Sequence, residues 1–474
     1  MMPRLSFPIP LLILLLLVAG CTLHAPQAIE PPHPLPAAFL EGGGGDVLPG
    51  RWWETFGDPR LDALMAEAFT GNLDLAQAVA RLDQLQALSR QAEAGRRPTL
   101  NVEGRAGREG SSSFGGDAVG TSYRLSLAAA FEVDLWNKIR SRRDAARLEE
   151  DASREEVAAL YLRLSAQVAD LYYLAVEQRA QLVLADSTIA AYLDALARVE
   201  DRYREGLVPA LDVYQARQNL AAARARRPLP EAGAAQAEHA LAVLLGRFPQ
   251  AGLAGTVVEL PTAPEAFAAG LPSELLARRP DVTAALLRLR ASDARIGAAI
   301  AERFPSFNLL GTYGYSSTPF GGTDISGDFW SLLLQLAAPV LDGGRRRAEV
   351  ERSRALFREN LARYHQAVLG AVREVEDALS AGRATEARIA FLAERQTAAE
   401  ATLRLSTERY RQGLSDYLPV LTAQTLHFEA QSQLIAARRQ LIADRVTLAR
   451  ALGGDWMMNV PVVSVAFEAK DFHS

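Results

Sequence analysis

Side chains that could carry out catalysis or bind a metal are few in this chain and do not cluster. The six histidines are scattered, and no pair has the spacing that places two metal ligands on one face of a helix. A single cysteine excludes a disulfide framework and a cysteine-based zinc site. No nucleophile, phosphate-binding or metal motif stands out, so the sequence predicts neither an enzyme nor a metal or cofactor site. The distinctive chemistry that remains is the thiol of Cys21.

Cys21 lies directly after a short secretory signal. Arg4 is the one charged residue among residues 1–20, an apolar run follows it, and small residues precede the cysteine. This pattern resembles a bacterial lipobox, in which the cysteine becomes the acylated first residue of the mature chain. We therefore predict a signal peptide over residues 1–20 and a lipid anchor, such as palmitate, at Cys21. An uncleaved membrane anchor is the alternative. Thr22, in place of the aspartate that often signals inner-membrane retention, favours the outer membrane.

The composition beyond the signal is close to that of soluble proteins. The formal net charge is −5, which gives no electrostatic case for a nucleic-acid-binding protein. No later run of apolar residues is long enough for a transmembrane helix. Residues 21–50 are rich in proline and glycine, and we predict that they form an acylated tether between the lipid and the folded protein.

The chain contains two copies of one sequence pattern. Segments of the first half align with segments of the second at a constant offset of 207 residues, with no net insertion. The matched pairs include Pro98 with Pro305, Arg202 with Arg409, Tyr203 with Tyr410, Gly206 with Gly413 and Gly246 with Gly453. We therefore predict two structural repeats, over residues 51–265 and 266–460, followed by a C-terminal tail over residues 461–474.

Each half contains two segments in which apolar and polar residues alternate, the period of a β-strand. They lie at about residues 100–108 and 122–133, and at about residues 307–315 and 330–340. Glycine-rich loops over residues 110–120 and 316–328 are expected to join them into hairpins. Strands of roughly 9 to 12 residues can cross an outer membrane, although a small soluble sheet packed on helices fits the periodicity equally well. Four strands leave open edges, so the membrane interpretation requires an oligomer.

A very long helical segment follows the strands in each half. The 67 residues from Ile139 to Glu205 contain no proline or glycine, and the counterpart over residues 346–412 contains no proline. At 1.5 Å per residue such a helix would reach roughly 100 Å, a length typical of coiled coils. Tight turns at Gly206 and Gly413 then lead to returning helices.

The duplication, the paired hairpins and the long helical hairpins together resemble the TolC family of outer-membrane channels. The predicted lipid anchor is typical of the OprM/NodT-like efflux lipoproteins within it. Local sequence agrees, because Trp52-Trp53, the segment Arg409-Tyr410-Arg411 and the ending Ala451-Leu452-Gly453 follow the patterns of the family. The resemblance covers essentially the whole mature chain.

The resemblance implies an α+β membrane protein that works as a homotrimer. Four strands from each chain would form one twelve-stranded β-barrel, continued by a long α-helical coiled-coil tunnel in the periplasm. The implied partners are a periplasmic adaptor protein, an inner-membrane resistance-nodulation-division transporter and outer-membrane lipid. The implied function is the export of small molecules, such as drugs and toxic compounds, across the outer membrane of a Gram-negative bacterium, with an iris-like periplasmic gate.

The resemblance also assigns a gate lock to residues near the turns. By position, Asp212 matches an acceptor on the family's outer helix pair, and Arg409 and Tyr410 match its donors on the inner pair. We expect Asp212 to accept hydrogen bonds from both and so hold the gate closed. The alternative is that Asp212 only caps the returning helix.

The constriction implied by the resemblance differs from that of charged relatives. Leu418 aligns with an apolar constriction residue. Thr422 and Thr425 stand where relatives carry an acidic and a basic residue, so we expect a more apolar gate without a cation-selective ring.

Two further sets of residues follow from the resemblance. Those at the turns would dock the adaptor, although the glycines also serve the turns themselves: Gly206, Leu207, Gly413 and Leu414. Those on the strands would form the aromatic belts of the barrel: Tyr123, Phe131, Tyr313, Tyr315 and Trp330.

Other functions remain open at this stage. Within the channel class, a type I protein-secretion channel is an alternative to a small-molecule exporter. A non-conducting outer-membrane lipoprotein scaffold is a second alternative, although a scaffold has no need of two amphipathic strands in each half. A periplasmic enzyme would need a cluster of acid, base or nucleophile, and none stands out.

Overall fold

The computed structural model describes residues 23–40, 50–113, 116–320, 323–454 and 456–459. The predicted signal peptide, Cys21 and the predicted C-terminal tail lie outside these residues. Within the described parts of the chain, no helix combines the length and apolarity needed to cross a membrane.

The secondary structure consists of long helices interrupted twice by a pair of strands. The first half contains α1 (Pro59–Gly71), α2 (Leu73–Ala94), β1 (Thr99–Ser113), β2 (Gly116–Val133), α3 (Lys138–Arg204), α4 (Ala210–Arg226) and α5 (Pro228–Leu244). The second half contains α6 (Pro272–Arg278), α7 (Pro280–Ala301), β3 (Ser306–Phe320), β4 (Thr323–Ala337), α8 (Arg345–Arg411) and α9 (Leu418–Leu452). Short 3₁₀ turns cover Trp52–Phe56 and Trp456–Asn459.

The predicted duplication is confirmed by the element bounds. The long helices α3 and α8 contain 67 residues each, and their ends are separated by the same 207-residue offset found in the sequence. Each begins and ends one residue before the predicted segment. The first returning helix is split at Arg227, before Pro228, because a proline inside a helix removes a hydrogen-bond donor and clashes with the preceding turn.

The four strands form one antiparallel sheet in the order β1-β2-β3-β4. The predicted loops over residues 110–120 and 316–328 were wrong, because most of these residues pair within the strands. Glu109 lies opposite Gly120, and Ser316 lies opposite Gly327. The strands therefore contain 15, 18, 15 and 15 residues. At its other end β4 stops at Ala337, so the predicted Val340 lies beyond the strand.

One face of the sheet is apolar and exposed. The register places Leu127 between Val102 and Tyr313, and Tyr313 opposite Trp330. The exposed apolar side chains that share this face include Leu100, Val102, Tyr123, Leu125, Leu127, Leu309, Tyr313, Tyr315, Trp330, Leu332, Leu334 and Leu336. An apolar face of this size needs an apolar environment.

Each side of the sheet ends in an open edge. Among the described strands β1 pairs with β2 alone, and β4 pairs with β3 alone. Unpaired strand edges are not tolerated in lipid, so the sheet of one chain requires neighbouring strands from other chains.

The chain divides into two compact units. The first contains the sheet together with residues 81–98, 134–154, 284–305 and 338–366. In this unit the indole nitrogen of Trp136 donates to the carbonyl oxygen of Pro305 at 2.7 Å. The described start of the predicted tether is held in place, because the ring of His24 lies 2.9 Å from a carboxylate oxygen of the buried Asp293.

The second unit contains helical residues and an aromatic core. The rings of Trp53, Phe69 and Trp456 lie within 5.7 Å of one another. Asp58 begins α1 by accepting from the amide of Arg60 at 2.9 Å, and it also accepts from the hydroxyl of Tyr172 at 2.8 Å. Buried aromatic residues of this kind contribute large apolar areas to the core.

One hydrogen bond from a side chain to the main chain closes each repeat within the second unit, at equivalent positions. The side-chain amide of Asn72 donates to the carbonyl oxygen of Leu244 at 2.9 Å. At the equivalent place in the second repeat, the guanidinium of Arg279 donates to the carbonyl oxygen of Ala451 at 3.2 Å. Arg279 also forms ion pairs with Asp281 at 2.7 Å and with Glu374 at 2.9 Å. The repeats thus keep the contact while changing the donor.

Candidate functional site

Each long helix ends in a tight turn that a glycine closes. Gly206 has a φ of +75° and Gly413 a φ of +72°. The amide of Gly206 donates to the carbonyl oxygen of Tyr203 at 2.9 Å, and the amide of Leu207 donates to that of Arg202 at 2.9 Å. The second turn contains the same two bonds, at 3.1 and 2.9 Å. This is a Schellman motif, and its left-handed position favours glycine.

Both turns expose leucine side chains. Leu207 is 61% exposed and Leu414 is 63% exposed. In a Schellman motif the residue at this position commonly packs against its own helix, so an exposed leucine here is available to a partner. The structure places all four predicted docking residues at the turns: Gly206, Leu207, Gly413 and Leu414.

Behind the turns the side chains pack into a small cluster, which we call the tip cluster. It consists of Val199, Val213, Ala216, Tyr410, Tyr417, Val420 and Leu421. The rings of Tyr410 and Tyr417 lie 5.4 Å apart. Tyr410 is only 8% exposed, whereas its repeat counterpart Tyr203 is 48% exposed. The two repeats therefore differ at the position where the lock was predicted.

Arg202 is the arginine that contacts Tyr410. Its guanidinium carbon lies 4.5 Å from the centroid of the Tyr410 ring, and its Nη1 donates to the Tyr410 carbonyl oxygen at 3.1 Å. Arg409, which the sequence predicted as a lock residue, is exposed. Sequence reasoning missed Arg202 because it begins the same repeated motif as Arg409. Motif position does not reveal which copy faces the other helix.

Asp212 lies in the first turn of α4 and does not cap it. The N-cap position is Pro209, and no side-chain capping bond occurs there. Burial raises the pKa of the Asp212 carboxyl, and the nearby charge of Asp416 raises it further, while Arg202 lowers it. Burial also raises the pKa of the Tyr410 phenol, and Asp212 adds to this effect. The Tyr410 hydroxyl has no hydrogen-bond partner in the structure, so its bond to Asp212 remains a prediction.

The tip contains an unusual number of buried polar atoms without a hydrogen bond. Among the described residues, these atoms are Arg202 Nε, Tyr410 Oη, Ser415 Oγ, Tyr417 Oη, Gln424 Oε1 and His427 Nδ1. Such groups normally have partners, and leaving one unpaired costs roughly 1–3 kcal/mol. Water, another chain or a rearranged tip would supply the partners that these atoms lack.

The three predicted constriction residues share one face of α9. Leu418, Thr422 and Thr425 follow one another at four and three residues, the spacing of a helical stripe, and all three are exposed. The hydroxyl of Thr425 donates to the carbonyl oxygen of Leu421 at 3.1 Å and lies 3.3 Å from the hydroxyl of Tyr192. This face carries no charge at the three positions.

The predicted barrel aromatics lie on the apolar face of the sheet. Tyr123, Tyr313, Tyr315 and Trp330 are exposed there, and Phe131 is half-buried. Tyr313 and Trp330 face each other across β3 and β4. Their assignment to membrane-interface belts remains a prediction.

A metal site is not indicated in the described part of the chain, where no group of three or more candidate ligands occurs. A profile of the outer membrane efflux protein family matches residues 64–247 and 271–454. The chain belongs to this family. The two matched segments are separated by the 207-residue offset of the repeats, so the family pattern itself occurs twice.

Two relatives and one solved structure agree with this membership. The chain is 32% identical to the solvent efflux pump outer membrane protein SrpC of Pseudomonas putida, covering 94% of this chain and 97% of that protein. It is 28% identical to the probable outer membrane lipoprotein SilC of Salmonella typhimurium, covering 93% and 97%. The structure of the outer-membrane channel OprN matches with a TM-score of 0.85 and 29% identity, covering 92% of this chain and all of that one.

These findings confirm the predicted fold class and role. The chain is an outer-membrane efflux channel protein of the TolC type, with four strands per chain and a long helical part. Its family consists of channel components of efflux systems, not of enzymes. The residue-level assignments and the domain boundaries remain predictions.

Proposed function

We propose that three copies of this chain close one barrel and export small apolar or amphipathic organic molecules, such as drugs and solvents. An inner-membrane transporter supplies them through a periplasmic adaptor. The observation that carries the proposal is the exposed apolar face on a sheet whose two edges are open. Only closure with strands from other chains satisfies both features in lipid. The solvent efflux relative supports this substrate class.

The gate of this channel lies at the helix turns. In the closed state Asp212 accepts hydrogen bonds from Tyr410 and Arg409, and Arg202 holds Tyr410 in position. The buried and unpaired hydroxyl of Tyr410 supports this, because a lock that breaks and reforms must contain polar groups that lose partners in one state. A hydrogen bond contributes about 0.5–1.5 kcal/mol to stability, so three copies, one in each chain, would suffice for a closed state that an adaptor can still open.

The test is the conductance of the purified full chain in planar bilayers. Replacing both lock residues, Asp212→Ala with Tyr410→Phe, should raise the conductance while the trimer stays intact. Asp194→Ala is a matched control, because this exposed carboxylate pairs with Arg198 on its own helix and not with a lock residue. An unchanged conductance in the double variant would reject the lock. Absence of any current from the unmodified chain would reject the channel.

The constriction formed by Leu418, Thr422 and Thr425 is uncharged in this proposal, and therefore more apolar than a ring of charged residues. Divalent cations should then block the pore only weakly. Thr422→Asp is the informative variant, because an acidic ring of three carboxylates should create strong block by added Mg²⁺. Strong block of the unmodified channel would contradict the uncharged constriction.

The chain is also proposed to be anchored by acylation of Cys21 after cleavage of residues 1–20. Its support is the signal pattern together with the lipoprotein relative. Mass spectrometry of the N-terminal peptide should find Cys21 acylated, and Cys21→Ser should abolish the modification. The channel itself performs no chemistry on its cargo, so purified protein should return transported compounds unchanged.

A further inference from the structure

The face of the sheet opposite the apolar one carries a pair of arginines at one level. Arg105 of β1 lies directly opposite Arg124 of β2 in the strand register. Both side chains are exposed. Like charges directly opposite each other destabilise a sheet, so the pair calls for an explanation other than folding stability.

The residues at the level of this pair do not neutralise it. The next residues at the same level are Ser316 on β3 and Gly327 on β4, neither of which carries a charge. Glu103 is the acidic residue one step along the same face of β1. Another acid of this face, Glu132, is already paired with Lys138.

One of the two arginines has a defined support. The guanidinium carbon of Arg124 lies 4.2 Å from the centroid of the Phe329 ring. A cation held over an aromatic face keeps its charge and its hydrogen-bond donors available. The contact with Phe329 therefore fixes the position of the Arg124 guanidinium.

We infer that these arginines form an anion-binding ring inside the barrel. This inference rests on the proposed trimer, in which the apolar face contacts lipid and the opposite face lines the lumen. Three chains then present six guanidinium groups in three pairs. A twelve-stranded barrel is roughly 24 Å across at its backbone, so arginine side chains from different chains can contact one multiply charged anion. The ligand class is a polyanion bearing phosphate or sulfonate groups, because six positive charges on one ring attract several negative charges at once.

The inference is tested by block of the channel with inositol hexakisphosphate in planar bilayers. The full-length trimer should be blocked from one side of the bilayer in 0.1 M KCl and released in 1 M KCl, because salt screens the attraction. In the double variant Arg105→Ser with Arg124→Ser, the concentration for half-block should rise at least 10-fold. The charge-conserving control, Arg105→Lys with Arg124→Lys, should remain blocked within about 3-fold of the unmodified channel.

Further variants and readouts separate the possible outcomes. Glu103→Gln should tighten the block, because it removes the neighbouring negative charge. Native electrophoresis and the unblocked conductance confirm that each variant is a folded trimer. Equal block of the unmodified channel and the double serine variant would overturn the ring, as would loss of block in the lysine control. If the unmodified chain carried no current at all, the proposed channel would fail instead.

Discussion

The guanidinium of Arg202 lies over the ring of Tyr410, 4.5 Å from its centroid, and donates a 3.1 Å hydrogen bond to the carbonyl oxygen of the same residue. These two residues come from different repeats, near the ends of α3 and α8. Each precedes its glycine turn by only a few residues. A single side chain therefore joins the two turns of one chain, and any movement that separates the turns must break both contacts.

Arg202 should accordingly restrain the gate more strongly than Arg409 does. Arg202→Ala removes a cation–π contact of about 0.5–1 kcal/mol and a charge-assisted hydrogen bond, so the conductance of the trimer in planar bilayers should rise. Arg409→Ala is the matched comparison and should raise the conductance less, because the same residue type is removed at the equivalent position of the other repeat. A larger rise with Arg409→Ala would show that the lock follows the family position and not the observed contact.

The protonation of Asp212 should affect the stability of the tip. Burial and Asp416 raise the pKa of Asp212 above its ordinary value of 3.8, so the folded tip favours the protonated acid. The stability contributed by this group is present at low pH and falls as the pH rises from 3.8 through the raised pKa. Asp212→Asn mimics the protonated form and keeps an oxygen that can accept from Tyr410, so it should raise the unfolding temperature of the trimer at pH 7. The gain should vanish below about pH 4.

Two variants check the cause of that effect. Asp416→Asn removes the second cause of the raised pKa, so it should move the stability transition of the unmodified Asp212 to lower pH. Asp194→Asn, at an exposed ion pair, should not reproduce the stabilisation at pH 7. A lower unfolding temperature for Asp212→Asn at pH 7 would mean that the carboxylate stabilises the resting tip. If Asp212→Asn stabilises the trimer and also raises its conductance, then Asp212 serves gating at a cost in stability.

The helices and strands were largely predictable, because the periodicity of apolar residues and the positions of proline and glycine indicate where they begin and end. The long helices were predicted to within one residue, since no proline or glycine interrupts the 67 residues of α3. The predicted hairpin loops were too long, because residues such as Gly110, Ser112 and Gly116 lack the alternating pattern but still pair through their main chains. Beyond the apolar face, the strands pair through backbone hydrogen bonds alone. These bonds do not depend on the side chains, so the sequence pattern does not predict them.

The candidate site was predictable only where local geometry decides it. The glycine turns followed from the repeated motif, because a left-handed residue after a helix is usually glycine. The choice between Arg202 and Arg409 depends on which copy of the motif packs against the other, and this is tertiary information. Whether Arg105 lies opposite Arg124 depends on the strand register. A slip of one residue would move one strand's side chains to the other face of the sheet.

The repeat-closing contacts offer a test of how the duplication has diverged. Arg279→Ala should destabilise the chain by about 2–3 kcal/mol, because it removes a buried donor and leaves Asp281 and Glu374 without their partner. Asn72→Ala, at the equivalent position, should cost only about 1 kcal/mol, because a neutral hydrogen bond is lost. Arg279→Asn keeps a donor of the kind found at Asn72 and should lie between them. Chemical unfolding of the detergent-solubilised protein measures these differences, and equal costs at both positions would contradict the assigned role of the ion pairs.

The turns combine a conformational requirement with an exposed surface, and the two can be separated. Leu207→Ser with Leu414→Ser should leave the unfolding temperature unchanged, because both side chains are exposed, yet should abolish drug efflux and cross-linking to the adaptor.

Gly206→Ala with Gly413→Ala should have the opposite effect, lowering the unfolding temperature without abolishing efflux. A Cβ at either glycine meets open space, so the surface is preserved, but each left-handed position becomes strained by about 1 kcal/mol. Efflux should then survive with a lower unfolding temperature. Replacing both glycines with bulky residues should combine the two defects while the trimer persists. Normal efflux in the leucine variant would exclude these side chains from docking and leave the turns a purely structural role.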